Sequence, residues 1–214
     1  MGTREFSHVT AAVIIFTAII SFSFIVKHQW ENIAIAFFFA IIILGVNIIA
    51  KKITAHLLDS DVEHELWQIS QYGYVPHEHF KHPAPAGIIA PLLLNVFTLG
   101  FIKFPAMLTY ETNVLKHRAA KRFGFYSYTE MTDWHTALIG ASGILAVLIL
   151  SVILYFIPSP NIEYFARIAV YYAFVNLIPF SKLDGSQIFF GSRILWSTLA
   201  IITVIMTAYA LLLI

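Results

Sequence analysis

Two stretches near the start of the chain, Val9–Val26 and Ile33–Ala50, contain no charged side chain. A helix rises about 1.5 Å per residue, so about 20 mostly apolar residues cross the hydrocarbon core of a bilayer. Runs of this kind exclude most soluble folds. Three more apolar runs follow, at Ala137–Ile157, Tyr164–Phe180 (with one charge, Arg167) and Ile194–Ile214. Composition agrees: 59% of the 214 residues are hydrophobic and 12% are charged, against about 45–50% and about 25% in soluble domains. The expected fold class is therefore an all-α polytopic membrane protein with about five transmembrane helices. It is read as one membrane domain over 1–214, a multi-pass protein of the cell membrane with the lipid bilayer as its first partner. Arg4 precedes the first run, and that run is longer than the roughly 7–15 apolar residues of a signal-peptide core. It is expected to be retained as a span. A formal net charge of +1 gives no field to recruit nucleic acid. The absence of cysteine excludes disulfides, thiolate metal sites and a cysteine nucleophile.

A sixth apolar stretch, Ala86–Leu108, is interrupted by Gly87, Pro91, Asn95, Gly100, Lys103 and Pro105. Broken backbone at membrane depth is tolerated only where protein or water covers it. The stretch is either a span or a re-entrant, broken segment. The charge pattern favours re-entry: it keeps Lys51 and Lys52 on the same face as Lys116, Arg118, Lys121 and Arg122, as the positive-inside rule asks. A short β element is expected in Leu58–Tyr74, between the second and third spans. Tyr171, Tyr172, Trp134 and Trp196 near span ends read as interfacial anchors, and Arg167 as a side chain that snorkels outward.

The run that ends at Phe180 closes on the sequence Asn176-Leu-Ile-Pro-Phe-Ser-Lys-Leu-Asp-Gly185. Asn176, Pro179, Leu183, Asp184 and Gly185 resemble the second signature of the site-2 protease family, the M50 intramembrane zinc metalloproteases. The following Ser186–Phe190 is similar to archaeal members. Gly140 followed by Ala141 stands where the family often has Gly-Pro. The resemblance implies that Asp184 occupies the place of the third zinc ligand. The family's first signature is HExxH, in which two histidines at i and i+4 share a helix face, bind zinc and flank the Glu that activates water. In its place the chain has Asn47-Ile-Ile-Ala-Lys-Lys52. Asn47 replaces the first His, Ile48 the Glu and Lys51 the second His, while Ala50 and Lys52 match.

The resemblance therefore implies a frame without its chemistry. The residues Asn47, Ile48, Lys51, Asn176 and Asp184 form a vestigial active site, no residue is catalytic, and neither zinc nor another cofactor is expected. An unpaired carboxylate in a membrane costs on the order of a few kcal/mol. Asp184 is expected either to pair with Lys51 in place of a metal bridge or to cap an interfacial turn. Asn176 is expected to hydrogen-bond between helices.

Two histidine-bearing stretches offer weaker readings. His64-Glu-Leu-Trp-Gln68 contains a His-Glu pair but has Gln68 at the fifth position. With Asp59, Asp61 and Glu63 beside it, it reads as a solvated surface segment. His77-Glu-His-Phe-Lys-His82 brings His77, His79 and His82 close in sequence and reads as an exposed loop or a transition-metal chelate. The functional expectation is a catalytically degenerate site-2-protease-like protein that binds transmembrane client proteins without cutting them. The alternative is an active zinc metalloprotease with its metal rebuilt from Asp184, His77, His79 and His82, and Glu65 or Glu78 as base. A transporter or channel ranks lowest, because the chain has no internal repeat.

Overall fold

The structure, a computed structural model, describes residues 2–26, 28–71, 79–115 and 131–212. In chain order the elements are α1 (Thr3–Val26), α2 (Asn32–Leu57), β1 (Ser60–Leu66), β2 (Ile69–Gln71), β3 (His79–Ala84), α3 (Ala86–Phe97), β4 (Leu108–Val114), α4 (Asp133–Tyr155), α5 (Pro160–Leu177), α6 (Asp184–Gly191) and α7 (Arg193–Leu212). Helix dominates, and the strands form two two-stranded sheets, β1–β4 and β2–β3. α1, α2, α4 and α7 are long and apolar enough to cross a membrane. This is a helical membrane protein. The fifth expected span, Tyr164–Phe180, falls on α5. That helix carries Glu163 and Arg167 and is less apolar than the other four.

The chain divides into two compact units. The first comprises Met1–Ala40 and His64–Thr109. Here the interrupted stretch Ala86–Leu108 is resolved into a 12-residue helix, a turn and an extended segment that enters β4. Twelve residues rise about 18 Å, short of a bilayer core of about 30 Å, so α3 does not cross alone. Trp67 donates its backbone N–H to Met107 O at 2.8 Å, and Gly87 donates to Trp67 O at 2.8 Å. A side chain at Gly87 would run into the Met107 carbonyl, so this position needs a glycine. The turn after α3 passes through Leu99 and Gly100, both at positive φ, and leaves Phe97, Leu99 and Phe101 exposed. The antiparallel β2–β3 pair places Ile69 opposite Ala84. The expected β element of Leu58–Tyr74 is present as β1 and β2. β3 and β4 were not anticipated, because their residues read as a histidine loop and as the end of an apolar run.

The second unit comprises Ile41–Glu63 and Tyr110–Ile214. α4 is its central helix: 56% of its apolar window is buried, against 22–39% in the other three long helices. Thr132 caps it by accepting from the His135 N–H. α5 and α6 pack on α4, and α7 packs on α5 and α6. Beside them Ala55, Val62, Tyr110 and Ile139 form a small apolar cluster that joins α2 and the strands to α4.

Candidate functional site

α5 ends where the sequence provides a stop. Ile178 takes an extended conformation, Pro179 has no N–H to continue the helix, and Ser181 turns the chain at φ 53°. Leu183 precedes the first turn of α6, and Asp184 opens it. The following Gly185 lies against the Leu177 and Ile178 carbonyls, where any side chain would meet backbone. Trp196 on α7 donates its indole N–H to Leu177 O at 2.9 Å. That bond fixes the end of α5, so Trp196 does more than anchor an interface.

This turn delivers Asp184 into the interior of the second unit. Its Oδ2 accepts from Lys51 Nζ at 2.6 Å, and both side chains are 2% exposed. Of the two expected roles of Asp184, the ion pair is the one observed. The Lys51 ammonium also stands over the Tyr110 ring, 4.5 Å from its centroid, in cation–π geometry. The Tyr110 hydroxyl donates to Thr136 O at 2.8 Å. Burial first, and the Asp184 charge second, hold that hydroxyl well above the ordinary phenol range, so it remains a neutral donor. Gln187, one turn into α6, donates to Tyr110 O at 2.9 Å and ties strand to helix.

Asn47 and Lys51, one helical turn apart on α2, are both buried and both meet α4 at Gly143. A Cβ at Gly143 would come within 2.7 Å of Lys51 Cε and 2.8 Å of Asn47 Nδ2. The glycine makes room for the two polar side chains. Asn47 Nδ2 and Asp184 Oδ1 are buried with no hydrogen-bond partner. Ile48 is also buried. Asn176 is buried on α5, and its amide donates to Tyr172 O within the same helix at 2.9 Å. The structure thus gathers Asn47, Lys51 and Asp184 in one interior site. Sequence reasoning missed Tyr110, Gly143 and Gln187, none of which belongs to either signature.

These residues do not fit zinc. A structural or catalytic zinc site needs three or four nitrogen, sulfur or carboxylate donors. Here the one carboxylate is bonded to an ammonium, which repels a cation, and Asn47 offers only an amide. Among the described residues no group of three His, Cys, Asp or Glu side chains could hold a metal ion. Of the alternative metal set, His77 lies outside the described residues, as does Glu78. His79 is described only as backbone in β3, and His82 is exposed. The basic run Lys116–Arg122 is likewise outside them.

The His64 segment is a strand, as the expected β element allows, but it is not a solvated surface: the alternation of β1 buries Ser60, Val62 and His64 and exposes Asp61, Glu63 and Glu65. Within the first unit the His64 ring lies 3.2 Å from Glu5 Oε1, and both side chains are buried. The period of two, rather than the neighbouring charges, decides where His64 points. No family model, no curated protein and no solved structure matches the chain.

Proposed function

We propose that this protein is a non-hydrolytic membrane protein of site-2-protease-like design, which binds transmembrane client segments in the cell membrane without cleaving them. The observation that carries the reading is the buried 2.6 Å Lys51–Asp184 pair. Asp184 stands at the position that the second signature gives to a zinc ligand, and Lys51 at the position of a metal-binding histidine. An ammonium in that place supplies positive charge to the carboxylate with no metal present. Ile48, at the position of the water-activating Glu, has no group that takes a proton, so neither component of metal-assisted hydrolysis is provided. Asn47 and Asn176 are left as interior amides suited to hydrogen-bonding.

The test combines elemental analysis with two assays on the purified, detergent-solubilised protein. The expected result is zinc far below one ion per chain, no cleavage of transmembrane peptides, and saturable binding of such a peptide by fluorescence. One zinc per chain, lost on Asp184→Ala, together with peptide cleavage, would overturn the non-hydrolytic reading. Absence of peptide binding would overturn the client role.

A further inference from the structure

At one end of the second unit, the last turns of α4, the first half of α5 and the last turns of α7 line an open cleft of about 270 Å³. A single water needs only about 10–15 Å³, and small-ligand sites begin near about 300 Å³. The space holds far more than one water and falls just short of a whole small-ligand site, a size that suits part of a larger molecule such as a hydrocarbon chain. Its wall is apolar, built from Val152, Ala166, Val170, Ile205, Met206 and Ala210. Ser151, a buried polar group in the lining, donates to Ala166 O at 3.0 Å.

The other polar groups gather at the side nearest the helix ends. Tyr155 and Tyr209 share a hydroxyl–hydroxyl bond of 2.9 Å. Arg167 reaches back one turn to Glu163 at 2.6 Å, and the two are 34% and 37% exposed. Arg167 Nε has no hydrogen-bond partner. α4 and α7 are both long enough to span a bilayer. Their closing turns, with tyrosines, match the headgroup level, where aromatic side chains concentrate. An apolar cleft that ends at this level beneath one cation and one anion has the polarity of a phospholipid: chain inside, phosphate and ammonium outside.

We propose that this cleft is a lipid site, in which one hydrocarbon chain of a zwitterionic phospholipid fills the space between α4, α5 and α7. The phosphate bonds the Arg167 guanidinium, whose planar fork suits phosphate oxygens, and the headgroup ammonium faces Glu163. An anionic headgroup with no ammonium would meet the Glu163 carboxylate uncompensated, so the pair selects for the zwitterion. The inference is independent of the client reading, since none of these residues belongs to the Lys51–Asp184 site.

The test is native mass spectrometry of the protein reconstituted in nanodiscs of equal phosphatidylethanolamine and phosphatidylglycerol, then released into detergent. The expected result is one retained phospholipid per chain, predominantly phosphatidylethanolamine. Val152→Phe and Ala210→Phe each fill the cleft and should reduce retention by about tenfold or more. Arg167→Gln should keep the chain and lose the headgroup preference. Val152 is 43% exposed, so a larger side chain is accommodated there at less cost than at buried Ala210; circular dichroism verifies that each variant is folded. Equal retention by wild type and the filled variants would overturn the site, as would failure of wild type to retain lipid. Retained phosphatidylglycerol in equal or greater amount would overturn the headgroup assignment.

Discussion

Lys51–Asp184 and Arg167–Glu163 are ion pairs of the same length, 2.6 Å, yet the first is 2% exposed on each side and the second 34% and 37%. Distance alone would rank them equal. Surroundings separate them. A buried charge that loses its partner has no water to turn to, and removal of one member of such a pair typically costs about 3–5 kcal/mol. A half-exposed pair at i,i+4 on one helix contributes about 0.3–0.5 kcal/mol and is screened by salt. The two pairs also differ in reach. Lys51 and Asp184 are 133 positions apart and join α2 to α6, whereas Glu163 and Arg167 sit four positions apart within one helix.

The largest expected effect follows from that difference. Asp184→Asn keeps the shape of the side chain and strands the Lys51 ammonium. It should lower unfolding stability in detergent by about 3–5 kcal/mol, and the double variant Lys51→Met/Asp184→Leu should recover most of the loss. A single variant within about 1 kcal/mol of wild type would show that the interior tolerates the charge.

Two glycines come next, and they refine the contrast between what can yield and what cannot. Gly185→Ala sets a methyl against the Leu177 and Ile178 carbonyls. Backbone cannot move aside, so a loss at or above the usual overpacking range of about 1–3 kcal/mol is expected. At Gly143 the obstacles are side-chain atoms, Cε and Cγ of Lys51 and the Asn47 amide, which yield more cheaply than backbone, so Gly143→Ala should cost less. A reversed order in thermal melts would mean that the Lys51 side chain is held as rigidly as backbone.

The smallest effect is expected at the exposed pair. Arg167→Gln should change stability by less than about 1 kcal/mol, and raising the salt concentration should shrink the change further. A loss equal to that of Asp184→Asn would remove burial as the distinction between the two pairs.

Sequence reasoning reached this site unevenly, for identifiable reasons. The turn at Asp184–Gly185 was legible because its constraint is local, a missing Cβ, whereas the run read through to Phe180 stops as a helix at Leu177, because Pro179 lacks the N–H that would continue it. Lys51 was found as a partner only because the resemblance put it opposite Asp184. Tyr110 was not found, since its strand follows the interrupted run Ala86–Leu108 and nothing in that run marks a ring destined to sit over a lysine. His64 was misread because its charged neighbours outweighed the alternation that buries it.

The sequence by itself determined that the chain is helical and belongs in a membrane. Its long uncharged runs need a solvent without water, and backbone groups in such a solvent are satisfied within helices. The tertiary structure alone decided what each buried polar group faces. Charge and hydrogen bonding act over a few ångströms, while the residues that come within that distance, such as Lys51, Tyr110 and Asp184, are brought there from distant parts of the chain by packing.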